Sequence, residues 1–505
     1  MPLMPTLKPP TGPVSGDPSG ALTKAIELHQ AGKLQDAKAL LEALMQSDTR
    51  RFDIMTLLGV VKVQLGEYEE ALRILNLSLR LGPGQGDAHN LRGYCLFKLD
   101  RLDVAVESFN TALDLGVEAA HRNLATVLTN LGQFHDAIEH YNKALLADPA
   151  DITIHHDRAV PLFALRRFDE ALAGLDKLIA EQPGYAEAYF GKALILLTTG
   201  DYTNGWNLFE WRWRMAEAMP DQIKLRKRVL RKPLWLGDRV IEGKTILLQA
   251  EQGFGDSLQF CRFVPIVASL GAKVILEVPP GLKVLMESLD ADIQVVTPAD
   301  PLPPFDLYCP LMSLAKAIGL QQNKIPAPPF YLSANPERLA AWRARLGLRT
   351  RPRIGLVWFG SMIGGIANLK SMAFEDILSV TDCDADFFAL QKQRTPGPGL
   401  AFQRSDSVTD LGDEIVDFAD TAAIMTLLDL VITVDTGPAH LAGALGRPLW
   451  VMLQSQPEWR WPDGPTTPWY PSARLFRQTV AGDWNGPLMA VRDALPAWLS
   501  GIRAV

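Results

Sequence analysis

Two stretches of the chain set carboxylates and glycines where a strand passes into a helix, the place at which an open parallel sheet meets its ligands. The first, residues 247–265, reads Leu-Leu-Gln-Ala-Glu-Gln-Gly-Phe-Gly-Asp-Ser-Leu-Gln-Phe-Cys-Arg-Phe-Val-Pro. An apolar strand runs into a loop in which Gly253 and Gly255 permit close backbone approach, and Asp256 stands at the mouth of the next helix. Asp256 fits two roles, an N-cap or a carboxylate offered to a ligand. Gln259 and Arg262 follow on that helix, either reaching a bound acceptor or lying on its surface.

The second stretch, residues 427–446, reads Leu-Leu-Asp-Leu-Val-Ile-Thr-Val-Asp-Thr-Gly-Pro-Ala-His-Leu-Ala-Gly-Ala-Leu-Gly. The strand stops at Asp435, Thr436 and Gly437 turn, and Pro438 fits the first helical turn, where its missing N–H costs nothing. A helix start of this kind presents unpaired N–H groups and positive dipole, which suits a diphosphate. Asp435 and Thr436 are equally good turn formers, and His440, one turn in, is equally a core histidine.

Around these stretches, short apolar runs alternate with helical ones. Strands are predicted at 245–248, 274–278, 293–297 and 305–309, then, after a proline-rich hinge at 325–330 and a charged helix at 336–346, at 353–358, 387–391, 431–434 and 449–453. This rhythm predicts two α/β lobes of parallel sheet with a ligand cleft between them. Trp459, Trp461, Trp469 and Tyr470 either stack on a ligand or pack the C-terminal segment against the hinge.

The half before residue 206 is a different kind of sequence. A helical phrase such as Gly-Glu-Tyr-Glu-Glu-Ala-Leu at 66–72 recurs with its alanine at Ala37, Ala71, Ala105, Ala137 and Ala171, spacings of 34, 34, 32 and 34, and Gly205 takes the next slot. That is the tetratricopeptide period. Each unit holds two amphipathic helices, and Pro83, Pro149 and Pro183 stop the second of a pair. One pair cannot bury its own apolar stripe, so the pairs must stack into a solenoid with a concave face for peptide or protein partners. The two-residue contraction near residues 116–122 should shorten one connection without breaking the stack. The aromatic run at 206–213 reads as a bulky cap.

With 48% hydrophobic residues there is ample core material in 505 residues, and a net charge of -7 argues against a general nucleic-acid binder. The basic run at 224–232 reads as a solvated linker face, or as a contact with an anionic acceptor or membrane surface. Four scattered cysteines without metal-ligand spacing, the lack of a signal-peptide core in the first twenty residues, and the absence of any roughly 18-residue apolar run lead us to expect a reduced, cytoplasmic protein.

Taken in order, Ala250-Glu-Gln-Gly-Phe-Gly-Asp256, Gly355-Leu-Val-Trp-Phe-Gly360, Asp417-Phe-Ala-Asp-Thr421, the 429–443 segment, Trp459-Arg-Trp461 and Trp469-Tyr-Pro471 resemble the bacterial tetratricopeptide-containing glycosyltransferases. Their catalytic half is similar to the heptosyltransferases (glycosyltransferase family 9 type), and their layout resembles that of protein O-GlcNAc transferases. The resemblance implies a GT-B fold of two Rossmann-like lobes, a nucleotide-sugar substrate, and no metal or other cofactor. It implies Asp256 as the base that deprotonates the acceptor hydroxyl. Asp435, Thr436 and Gly437 match the turn that holds the nucleotide sugar, Lys370 sits where the family carries a basic residue facing the phosphates, and Gln391, Lys392 and His440 are expected near the nucleotide pocket. Gly253, Gly255, Gln259 and Arg262 fall on the acceptor side.

The implied layout is a disordered leader at 1–20, a solenoid at 21–215, a linker at 216–243, an acceptor-side lobe at 244–335 and a nucleotide-sugar lobe at 336–505. The loop at 359–371 departs from the family pattern, lacking its histidine and acidic residue and carrying Lys370 in place of an arginine, which exchanges a bidentate fork for a point charge. Three readings follow. The first is a metal-independent glycosyltransferase whose repeat arm selects a protein or glycan acceptor. The others are an impaired relative that still binds nucleotide and a purely structural repeat scaffold.

Overall fold

A computed structural model of the chain describes residues 20–48, 50–215, 232–360, 370–392 and 405–503. The expected leader up to residue 19, the basic run up to residue 231 and the altered loop at 361–369 lie outside the described residues. Packing divides the chain into two units, Met1–Pro183 and Gly184–Val505.

In the first unit, helices from Ala21–Gln30 to Phe168–Glu181 pair as the repeat predicts. The recurring alanines Ala37, Ala71, Ala105, Ala137 and Ala171 are all buried, and their small side chains let neighbouring helices pack closely. The same closeness shows at Gly93, where a Cβ would meet the Phe109 ring at 2.7 Å. The turn inside each pair needs a left-handed residue. Gly32, Gly66 and Gly132 supply it with φ of 71°, 79° and 76°, but the weaker copies put Asp100 and Arg166 there, at 58° and 59°. The two-residue contraction does not break the stack, which continues from Ala120–Asn130 into Phe134–Ala147.

The second unit begins with the last helix pair, Ala186–Thr199 and Tyr202–Phe209. Its aromatics explain why it packs with the α/β half: Trp206 meets Phe260 at 5.7 Å and Trp459 at 5.2 Å, and Tyr202 stacks on Trp469. The expected aromatic cap is thus part of the α/β core.

Two parallel sheets follow. The first contains β1 (Thr245–Gln249), β2 (Lys273–Glu277), β3 (Ile293–Val296) and β4 (Leu307–Pro310) in the order β3-β2-β1-β4. The second contains β5 (Arg353–Val357), β6 (Asp386–Ala389), β7 (Val408–Asp410), β8 (Leu430–Val434), β9 (Leu449–Leu453) and β10 (Ala473–Arg477) in the order β10-β9-β8-β5-β6-β7. The central strands β5, β8 and β9 are wholly buried, as parallel strands covered on both faces must be. Strands β7 and β10 went unpredicted. In each sheet the strand order reverses beside the first strand, between β1 and β4 and between β5 and β8, and in open parallel sheets such switch points are where ligands bind. Asp256 follows β1 and Asp435 follows β8.

The free thiols Cys95, Cys261 and Cys309 are buried and Cys383 is half-buried. Among the described residues no helix is long and apolar enough to cross a membrane.

Candidate active site

The helices that leave the two switch points meet. Phe254–Phe260 follows β1, Gly437–Ala444 follows β8, and a Cβ on Gly255 would stand 2.8 Å from the His440 ring and 3.6 Å from the Cα of Gly437. Gly255 is therefore a steric requirement of this contact. Gly253 meets no such crowding. Phe254, partly exposed, tilts onto Phe418 at 5.1 Å and makes a second contact between the lobes.

Asp256 is not the N-cap of its helix: Gly253 holds that place, and Asp256 stands in the first turn and reaches back to it. One carboxylate oxygen, Oδ2, accepts the N–H of Gly253 at 3.1 Å. The other, Oδ1, is held by Nη2 of Arg460 from the far end of the chain. Asp435 is held as firmly: Lys370 Nζ donates to Oδ2 at 2.7 Å and Trp461 Nε1 to Oδ1 at 2.7 Å. Burial opposes ionisation of Asp435, but the charges of Lys370 and its other neighbours prevail and hold the carboxyl well below the usual range. The Asp435 charge in turn raises Lys370.

Thr436 gives no side-chain cap to the helix it precedes; its hydroxyl turns back to the Val434 carbonyl at 3.2 Å. His440 is buried, bonded through Nδ1 to Tyr470 Oη at 2.8 Å, and burial lowers its pKa to about 4, so it is neutral at pH 7.

The other predicted residues lie further back. Gln391 Oε1 accepts the N–H of Phe359 at 3.1 Å and so braces the end of β5, while Lys392 Nζ donates to the Val416 carbonyl. Arg262 is neither turned to an acceptor nor on a helix surface. It is buried, with its guanidinium donating to the Trp469 carbonyl at 2.8 Å and Tyr331 Oη at 2.9 Å, and it fastens the hinge segment to the C-terminal segment. Gln259 is buried too and accepts from Arg460 Nε at 2.9 Å. Of the four aromatics, Trp459, Trp469 and Tyr470 pack in the core, whereas buried Trp461 also bonds Asp435.

Sequence reading missed Arg460 and Glu458. Arg460 Nη1 donates to Glu458 Oε1 at 2.5 Å, and the guanidinium lies 3.9 Å from the Trp459 ring. The available signal was a repeated tetrapeptide: Glu-Trp-Arg-Trp stands at both 210–213 and 458–461. In the first copy Arg212 pairs with Glu210 at 2.8 Å and with Glu251 at 2.8 Å. Each arginine thus binds the glutamate two residues before it and an acid just after β1.

A separate cavity of about 310 Å³ lies beside the first sheet, lined in part by Trp211, Trp213, Tyr308, Gln249 and Lys316; none of the predicted site residues lines it.

Residues 415–481 match the model of Glycosyltransferase family 9 (heptosyltransferase). That segment contains Asp435, Thr436, Gly437, His440, Glu458 and Arg460. Tetratricopeptide repeat models match residues 28–95, 86–115, 118–151 and 156–205. The protein FlbA of Caulobacter vibrioides is 26% identical over 543 residues, covering 94% of this chain and 89% of FlbA. DnaJ homolog subfamily C member 7 of Homo sapiens is 27% identical over 156 residues, which span 27% of this chain and 32% of that protein. The crystal structure of YrrB, a TPR protein with an unusual peptide-binding site, aligns at 24% identity with a TM-score of 0.31, over 35% of this chain and 93% of YrrB. The chain therefore combines tetratricopeptide repeats with a segment similar to family 9 glycosyltransferases.

Proposed function

We propose that the chain is a glycosyltransferase of GT-B type that moves a sugar from a nucleotide-sugar donor to an acceptor hydroxyl. The reading rests above all on the meeting of the two switch-point helices, with Asp256 on one side and the Lys370–Asp435 pair on the other. In the proposed reaction Asp256 takes the acceptor proton as the oxygen bonds to the sugar's anomeric carbon. The bond from that carbon to the diphosphate breaks, and its electron pair leaves on the phosphate oxygen. Lys370, held in place by Asp435, and the start of the Gly437–Ala444 helix supply positive character for that leaving group, so the proposed chemistry calls on no resident metal. Thr436, Gly437, Gln391 and Lys392 fall on the donor side, and Gly253 and Gly255 on the acceptor side. The tetratricopeptide solenoid is proposed to hold a peptide segment of the acceptor or of a partner.

The test is release of nucleoside diphosphate from a panel of ADP- and UDP-sugars incubated with the full chain and a cell extract as acceptor source. Asp256→Asn should lower release by about 10²–10⁴-fold while leaving the melting transition in place. Undiminished release would remove Asp256 from the mechanism. A second reading, a nucleotide-binding scaffold without transfer, draws on one observation: the Asp256 carboxylate is engaged by Arg460.

A further inference from the structure

An arginine carries five N–H donors. Arg212 spends all of them, on both oxygens of Glu251, on Glu210, on the Phe209 carbonyl and on Ser313 Oγ. Its side chain and that of Glu251 are both 0% accessible. Arg460, at the same place in the repeated tetrapeptide, spends three: Nε on Gln259, Nη1 on Glu458 and Nη2 on Asp256. One N–H on each terminal nitrogen has no partner among the described residues, and the side chain is 15% accessible against 17% for Asp256. Gln259, Glu458 and the Trp459 ring fix the guanidinium plane, so the bond to Asp256 is the one contact of Arg460 that can be exchanged without dismantling its support.

We propose that Arg460 is an exchangeable cation: it holds Asp256 while the site is empty and passes to the donor's diphosphate when the donor binds, which frees Asp256 to accept a proton. This rests on the reading of the site as a nucleotide-sugar site. With the Arg460 guanidinium on Oδ1 and the Gly253 N–H on Oδ2, both oxygens of Asp256 are already engaged, so an acceptor hydroxyl has to displace a donor to reach the carboxylate. Phosphate oxygens are strong competitors for an arginine, whose planar donor array matches them. The spare N–H groups on Nη1 and Nη2 give an incoming diphosphate a first hold before the bond to Asp256 is broken. Deprotonation of the acceptor is thereby tied to the presence of the donor, with Arg460 acting on Asp256 as a positioning residue.

The test is a double-mutant cycle on binding, read by calorimetry on the full chain with inorganic pyrophosphate, ADP and UDP as probes. The proteins are the wild type, Asp256→Asn, Arg460→Gln and the double variant, each checked by thermal melting. If Arg460 must leave Asp256 to bind the probe, Asp256→Asn tightens binding about tenfold when Arg460 is present and less than about twofold when it is Gln. Equal tightening in both backgrounds, which is simple removal of a negative charge, or no tightening at all, overturns the proposal. If Arg460→Gln does not fold, Arg460→Lys takes its place. Lys keeps the charge and loses the fork, and the tightening should fall between the two values; a tightening as large as with arginine would overturn the exchange. Failure of every probe to bind the folded wild type overturns the diphosphate reading itself, an outcome distinct from binding without coupling.

Discussion

The two copies of Glu-Trp-Arg-Trp use the same residues for opposite ends. At 210–213 the arginine and its acids form a sealed knot, with Arg212 saturated and Glu251 inaccessible to water. At 458–461 the same tetrapeptide reaches an acid five positions further along the chain, Asp256, and leaves donors and access to spare. Burial of a charge pair therefore says little about function by itself. Whether its donors are saturated and whether solvent reaches it separates a structural pair from one that can change partners. In the repeat unit, buried Lys62 shows a third arrangement, meeting Glu42, Glu67 and Glu70, whose own side chains keep more contact with water.

The comparison breaks or sharpens through five substitutions. Arg212→Gln should cost about 3–5 kcal/mol, since it strands Glu251 without water, whereas Arg460→Gln should cost about 1–3 kcal/mol because Asp256 and Glu458 remain partly solvated. Thermal and urea unfolding of the two variants would show the order, and equal losses would erase the distinction between the copies. Next in size is the pH response of His440. Its folded pKa of about 4 lies below the ordinary value of ~6.5, so the unfolded chain binds more protons between those values. The contribution is fully present above pH 6.5 and is lost as pH falls towards 4, by roughly 3 kcal/mol. His440→Gln should flatten that part of the melting profile; an unchanged slope would show that another group titrates.

Gly255→Ala forces a methyl group against the His440 ring at the contact between the lobes, at a cost of about 1–3 kcal/mol. It should also weaken donor binding, and a neutral result by melting and calorimetry would mean that the helices need not meet. The smallest effect belongs to Arg345 and Glu414, an exposed pair at 2.6 Å. Glu414→Gln should move stability by less than about 1 kcal/mol, and a larger change in the unfolding midpoint would contradict the weight given to solvent access.

Much of this architecture was legible in the sequence. The alanine spacing exposed the helix pairs, and the βα rhythm exposed eight of the ten strands among the described residues, because apolar period and turn residues are local signals. The last helix pair was harder. Its period belongs to the repeats, but its burial is decided by the rings of Trp459 and Trp469, more than 240 positions away in the chain. Asp256, Asp435 and Gly437 stood out because strand-to-helix turns carry their chemistry on neighbouring residues. Arg460 did not, since its partners Asp256 and Gln259 lie some 200 positions earlier. Arg262 was placed on the acceptor side for a similar reason: its helix position was readable, but the Trp469 carbonyl that claims it was not.

The central claim is that Lys370, Asp435 and the paired helix ends form a diphosphate site. The most direct test is calorimetric titration of ADP, UDP and GDP, and of their common sugar conjugates, into the full chain and into Lys370→Ala. The account predicts saturable binding of one nucleotide to one site, weakened about tenfold or more by the loss of Lys370. Folded protein that binds none of the panel, or a Lys370→Ala variant that binds as well as the wild type, would contradict it.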